Sequence, residues 1–202
     1  MKTLLSFLVF AGAVLAPVAQ AQQSGHSAMP AMRSGHKNAA MPSMQLGMSG
    51  MENLKTLSGK EFNIAFLSQM IAHHQSAIDM AQQALTVAKH AETKKEARMV
   101  IADQKKEIGQ MTAWLREWYG VKPSKEQEAS MKADMKTMME IKIETDRMFF
   151  EMMIPHHRGA IDMSEMALKQ SDRPQVKQLA RSIIKAQKAE INRYKILLKH
   201  VS

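Results

Sequence analysis

Cysteine is absent from the 202 residues. Its absence removes disulfide frameworks, thiolate zinc and iron–sulfur sites, thiol nucleophiles and a lipid-anchored cysteine. Aromatic residues are only 5% of the chain, and glycines and prolines number nine and six. So few strand-forming rings and turn-forming residues argue against an all-β fold. Acidic residues are in the minority, 19 Asp and Glu against 28 Lys and Arg, for a formal charge of +9. That balance is compatible with acidic partners or with simple solubility, and it says nothing about fold. Beyond Ala16 no apolar run is long enough to be a membrane span. Methionine, by contrast, is abundant at 20 residues, which points to a thioether-rich surface or site.

Residues 1–21 read as a secretory signal. Lys2 supplies the positive start, Leu4–Ala16 the short apolar stretch, and Ala19-Gln20-Ala21 the cleavage site. The expected location of the mature protein is the periplasm, with no membrane span after signal cleavage. Residues 22–57 read as a flexible tail. Up to Met51 it is built from Gly, Ser, Pro, Ala and Gln, with almost no bulky aliphatics to bury. Within it Met29/Met32, Met41/Met44 and Met48/Met51 form three M-x-x-M pairs, with His26 and His36 among them. A chain of this kind can wrap thioethers around a soft, low-coordinate cation such as Cu(I), so these eight residues are candidate ligands. The plain alternative is a linker whose methionines do nothing.

Residues 58–202 repeat. Phe66-Leu67-Ser68-Gln69-Met70-Ile71-Ala72-His73-His74 through Asp79-Met80 matches Phe149-Phe150-Glu151-Met152-Met153-Ile154-Pro155-His156-His157 through Asp162-Met163, at an offset of 83 positions. The same offset carries Gln104-Lys105-Lys106-Glu107-Ile108 onto Gln187-Lys188-Ala189-Glu190-Ile191. A shared offset in both halves of each unit predicts a duplicated helical hairpin. Apolar residues step by three and four along Ile101–Leu115 and Val176–Leu198, as a bundle seam does. Helices are expected near 59–89, 94–119, 145–169 and 174–199, with a shorter linking helix near 125–141. Ser58-x-x-Glu61, Thr93-x-x-Glu96 and Ser124-x-x-Gln127 have the spacing of capping boxes, and Gly120 before Pro123 reads as a helix stop. The expected architecture is all-α: a four-helix bundle of two repeated hairpins, a linking helix and the Met-rich tail.

At about 100° per residue, Met70, His73 and Met80 share one inward face, with Ala77 as a small residue between them and His74 on the shoulder. Met153, His156 and Met163, with Ala160, do the same in the second copy. The partner helices contribute Glu107 and Glu190, near Gln104, Met111, Gln187 and Tyr194. Bundle metal sites of the di-iron type take a Glu from two helices and Glu-x-x-His from the other two. Here Met70-x-x-His73 and Met153-x-x-His156 replace two hard carboxylates with thioethers. That exchange favours Cu(I), with imidazole also accepting Cu(II). A single inward Met or His is usually core; the doubled His with flanking Met, present twice, is what points to ligation. Pro155 should kink its helix, whereas Ala72 leaves the first copy straighter. Met131, Met135, Met138 and Met139 read as an apolar face of the linking helix, and Asp79 and Asp162 as outward-facing charges.

The repeated M-I-x-H-H-x4-D-M followed by Q-x-x-E-I resembles the CopM-like family of periplasmic copper-binding proteins, first catalogued as a domain of unknown function. The resemblance spans about residues 48–200. It implies a ferritin-like four-helix bundle that binds copper and supports copper resistance. By position it implies ligands among Met70, His73, His74, Met80, Met153, His156, His157 and Met163. Ala72 stands where the family usually has Pro, and Asn63 stands where the second copy has Asp146.

Three functions follow as expectations. The first is a copper-binding protein that sequesters or delivers Cu(I), with Cu(II) and Ag(I) as further candidates. It would serve copper resistance or homeostasis without turnover, and its partners would be metal ions and another periplasmic copper protein or an efflux component. The alternative is a ferritin-like metal oxidase such as a cuprous oxidase, which needs an open coordination position. A polyanion-binding role fits poorly. The lysines of both second helices are interleaved with Glu, as on solvated faces, and no nucleic-acid motif accompanies them.

Overall fold

The computed structural model describes residues 49–201. The leader and the tail through Met48, with His26, Met29, Met32, His36, Met41, Met44 and Met48, lie outside the described residues. Among the described residues the fold is all-α. Its elements are α1 (Ser49–Thr56), α2 (Gly59–Val87), α3 (Ala91–Tyr119), α4 (Lys125–Asp134), α5 (Lys136–Met139), α6 (Asp146–Gln170) and α7 (Pro174–Leu197). The hairpins α2–α3 and α6–α7 join through α2 against α6 to make the four-helix bundle, while α4 lies on α2 and α1 packs against α4. None of these helices is long and apolar enough to cross a membrane.

Local chemistry sets several helix ends. The Ser124 hydroxyl accepts the Gln127 amide (3.4 Å), and the Thr145 hydroxyl accepts the Met148 amide (3.1 Å). Gly120 closes α3 at φ +66°, a left-handed conformation that costs glycine little. Two expected boxes do not form. Ser58 stands at the N-cap of α2 without a side-chain bond. Helix α3 starts at Ala91, so Thr93 lies inside it, and Glu96 turns instead to Arg193 (3.1 and 3.2 Å). Helix α6 runs through Pro155 as one element. The linking helix is broken at Met135 into α4 and α5, which turns Met131, Met135 and Met138 into the core and leaves Met139 exposed.

The tail boundary needs correcting. Ser49–Thr56 is helical, and its Met51 and Leu54, three residues apart on one face, are buried in a cluster with Phe62, Phe66 and Met131. Burial of these two side chains drives the segment onto the bundle. Met51 is therefore a core thioether and not part of a flexible tail.

The hairpins clasp each other at both ends. Asp146, at the start of α6, accepts the amides of Lys89 (2.9 Å) and His90 (3.1 Å) in the turn between α2 and α3. Asn63, at the start of α2 and 83 positions earlier, reaches the turn between α6 and α7. Its amide donates to Asp172 Oδ1 (2.6 Å) and Tyr119 Oη (2.9 Å), and its oxygen accepts from the Ser171 hydroxyl (2.6 Å). In this copy the carboxylate sits on the turn instead of the helix start, which accounts for Asn63. The contacts also fix α2 and α6 as antiparallel. Arg173 covers this end, its guanidinium 5.0 Å from the Trp118 ring centre and 5.6 Å from that of Tyr119.

Burial opposes ionisation of Asp146, yet the Lys89 amide, the Thr93 hydroxyl and His90 together bring its carboxyl down to about 2. Its folded value lies below the ordinary 3.8, so the stabilisation is fully present above pH 3.8 and disappears as pH falls towards 2. Asp146→Ala leaves two amides without their acceptor and should cost about 1–3 kcal/mol. Denaturant unfolding near neutral pH measures it, and the difference from wild type should shrink as the medium is acidified through that window.

Candidate metal centre

The four histidines of the doubled motifs are all buried. Helix α2 is covered by α1, α3, α4 and α6, so more than one of its faces is inward. This is why His74, placed on a shoulder by single-face geometry, is as buried as His73. The two histidines of each motif point to different neighbours. His73 and His156 meet across the α2–α6 contact with ring centres 3.8 Å apart and planes inclined by 39°. His74 lies 6.4 Å from His73, and His157 lies 6.2 Å from His156, centre to centre.

The outer two rings face carboxylates. His74 Nε2 donates to Glu107 Oε2 on α3 (2.6 Å). Because the carboxylate only accepts, His74 carries a proton on Nε2, and its buried Nδ1 has no partner. His157 Nε2 lies 2.7 Å from Glu190 Oε2 on α7, off ideal hydrogen-bond alignment, and its Nδ1 is likewise without a partner. The carboxylate–imidazole pairing is the arrangement that orients a histidine towards a metal through its other nitrogen. Tyr194 closes the second copy, its ring centre 5.6 Å from that of His157 and its hydroxyl unpartnered. Burial, then the charges of Glu190 and Glu96, push the Tyr194 phenol far above its ordinary value, so it stays protonated.

The inner pair is also poorly satisfied. Neither nitrogen of His73 has a hydrogen-bond partner, nor has His156 Nδ1. Each ring lies close enough to the other residue's main-chain carbonyl to feel its dipole, but not at hydrogen-bond geometry. Burial holds both imidazoles well below histidine's ordinary range, and the neighbouring imidazoles lower them further. Both are therefore neutral, the form that offers a lone pair to a metal.

Two apolar clusters meet at this histidine layer. Met70 and Met163 belong to one, with Ala160 and Met135. Met80 and Met153 belong to the other, with Ala77, Phe149 and Phe150. Antiparallel packing thus pairs the methionine before one histidine with the methionine after the other. All four predicted thioethers are buried. Among the described residues no three His, Asp or Glu side chains converge as a metal-binding group. The methionines of the motifs are buried in the clusters that flank these histidines, and thioethers as a residue type suit a soft cation rather than a hard one.

Between α3 and α7 runs a cavity of about 460 Å³ lined by Gln104, Glu107, Gln187 and Glu190. The side-chain oxygens of Gln104 and Gln187 are buried and without partners. Two neighbours of the inner pair are not marked as such by helical period in the sequence. Ser76 Oγ lies 2.7 Å from His156 Nε2, and Met135 Sδ lies 3.3 Å from Ser76 Oγ. Met135 lies on the apolar face expected of the linking helix, and that face packs close to the histidine layer. The signal for Ser76 was in the repeat itself, where it aligns with Gly159 and so marks one copy as different.

Neutral, buried histidines make the metal-free protein acid-sensitive. Their folded values lie below the unfolded 6.5, so below that pH the unfolded chain takes up protons that the fold excludes. Stability should fall with pH in this window by up to about 1.4 kcal/mol per pH unit for each imidazole. A His73→Gln/His156→Gln variant should show a shallower dependence between pH 6.5 and the onset of carboxylate protonation, as followed by denaturant midpoints.

The model of a family described as a domain of unknown function, DUF305, matches the chain twice, over residues 12–115 and 84–198. No curated protein matches. Among solved structures, CopM in its Cu(I)-bound form is 35% identical, covering 68% of this chain and 96% of that one at a TM-score of 0.59. CopM in its Cu(II)-bound form is 34% identical over the same 68% and 96%, at 0.58. A DUF305 protein from Streptomyces coelicolor is 25% identical, covering 68% of this chain and 91% of that one, at 0.59. The duplicated motif, the bundle built from it and these matches agree: the chain belongs to the DUF305 family, within its CopM-like members.

Proposed function

We propose that the protein binds copper, holding Cu(I) at the histidine–methionine layer of the bundle and sequestering it or passing it on. The observation that carries this reading is the buried His73–His156 pair, whose open ring nitrogens lie between the Met70/Met163 and Met80/Met153 clusters. Lone pairs that go unmatched in an apolar interior cost stability, and a soft cation that accepts imidazole and thioether would satisfy them. The similar protein CopM has been solved with Cu(I), Cu(II) and silver bound, which supports the same cargo here. His74 and His157, each held by a carboxylate, are the next ligand candidates, with Glu107 and Glu190 as their orienting partners. The polar cavity between α3 and α7 gives a hydrated ion a path to those carboxylates.

Two further parts of the reading rest on residues outside the described structure. Residues 1–21 export the chain to the periplasm. The tail, with His26, Met29, Met32, His36, Met41, Met44 and Met48, gathers soft ions ahead of the bundle. The recipient is another periplasmic copper protein or an efflux component. Binding and transfer need no turnover.

Replacing Met70, Met80, Met153 and Met163 together by Leu keeps volume and apolarity, so the fold should survive at modest cost. Anaerobic competition titrations should show Cu(I) affinity falling sharply while zinc bound through histidine persists, since zinc prefers imidazole and carboxylate. Unchanged Cu(I) affinity would refute the thioether ligands. Deleting residues 22–48 should lower the number of Cu(I) ions bound without moving the unfolding midpoint of the metal-free bundle. An unchanged stoichiometry would reduce the tail to a linker.

A further inference from the structure

Ser76 is buried on α2, one turn after His73, and three groups surround its hydroxyl. The oxygen lies 2.7 Å from the main-chain carbonyl of His73, 2.7 Å from His156 Nε2 and 3.3 Å from Met135 Sδ. A hydroxyl has one proton to give and two lone pairs to offer. If it donates to the His73 carbonyl, its lone pair takes an N–H from His156 Nε2, and two hydrogen bonds form. The groups left over are then the His156 Nδ1 lone pair and the weakly accepting Met135 Sδ, neither of them a stranded donor. If it donates to His156 Nε2 instead, the bond to the His73 carbonyl is lost. His156 Nδ1 must then carry a proton with no acceptor at hydrogen-bond geometry. A buried donor without an acceptor costs about 1–3 kcal/mol, so the first arrangement wins both on bonds made and on groups left unsatisfied.

We infer that Ser76 is a positioning residue that fixes His156 as the Nε2–H tautomer and leaves its Nδ1 lone pair facing the site. Glu107 does the same for His74, but with a charge; Ser76 does it at the centre of the bundle without burying another one. Copy two has no equivalent. The residue 83 positions on is Gly159, so no hydroxyl meets His73, and both of its nitrogens stay free. The quasi-symmetric pair is thereby chemically unequal: His156 is committed to one donor atom before any ion arrives, whereas His73 can bind through either nitrogen.

The tautomer belongs to the metal-free protein, but its consequence for copper rests on the reading proposed above. Long-range nitrogen–proton correlation NMR of the labelled, metal-free full chain reports it directly. His156, assigned by its loss in His156→Gln, should show a protonated Nε2 and a bare Nδ1, and His73 a mixture of tautomers. In Ser76→Ala the His156 signals should move to a mixture, with Cu(I) affinity reduced about 10- to 100-fold, the usual cost of losing an orienting partner. A protonated Nδ1 in the wild-type protein overturns the inference, and that spectrum needs no variant to fold. So does a His156 tautomer unchanged in Ser76→Ala, whatever the copper affinity. A tautomer that shifts as expected while Cu(I) affinity stays the same upholds the role of Ser76 and instead refutes His156 as a copper ligand.

Discussion

Four imidazoles buried at the middle of a helical bundle are the constraint around which the rest of this structure is arranged. An apolar interior penalises an unpaired polar group, and four in one layer would be costly. The molecule manages the layer by giving each ring a different degree of satisfaction. His74 and His157 turn outward to Glu107 and Glu190. His156 finds Ser76. His73 finds nothing at hydrogen-bond geometry. The partners range from a carboxylate for the outer rings to a hydroxyl for His156 and none for His73, and every one of the four rings keeps an unpartnered Nδ1.

The surrounding fold keeps that layer closed. Apolar clusters on either side exclude water, one drawing in Met51 and Leu54 from α1 and the other Phe149, Phe150 and Tyr194. The reciprocal clasps at Asp146 and Asn63 hold α2 and α6 in one register, and that register brings His73 against His156. A slip of one residue would turn each histidine about 100° off the contact. On the open side, α3 and α7 leave a polar cavity between them, tied at the ends by Arg193 with Glu96 and by Arg173 over Trp118. Helices that packed fully along this side would have sealed Glu107 and Glu190 from solvent.

The two copies are alike in backbone and unequal in chemistry. Tyr194 stands for Met111, Gly159 for Ser76, Pro155 for Ala72 and Asn63 for Asp146. The Asn63 exchange preserves a clasp by moving the carboxylate to Asp172. The Ser76 exchange alters the histidine environment itself. A duplicated scaffold of this kind tolerates divergence at single positions because the packing of each hairpin is carried by many residues, whereas a hydrogen bond to a ring nitrogen is carried by one.

The repeat, its helical period and the punctuation at Gly120 and Ser124 were enough to read two hairpins, their bundle and the inward faces of Met70, His73 and Met80, because these are properties of consecutive residues on one helix. The exchange of carboxylate for thioether in the motif is local too, and it carries the expectation of a soft ion. What lay beyond reach were contacts between elements. Nothing local says that Met51 folds back onto Phe62, that the linking helix breaks to bring Met135 inward, or that α2 is covered on several sides and buries His74 with His73. The pairing of His73 with His156, and the hydroxyl of Ser76 against one ring only, depend on how two antiparallel helices register across the quasi-symmetric centre. Period and propensity act along a chain; which lone pair is left unsatisfied is decided only when side chains from different helices share one dry space.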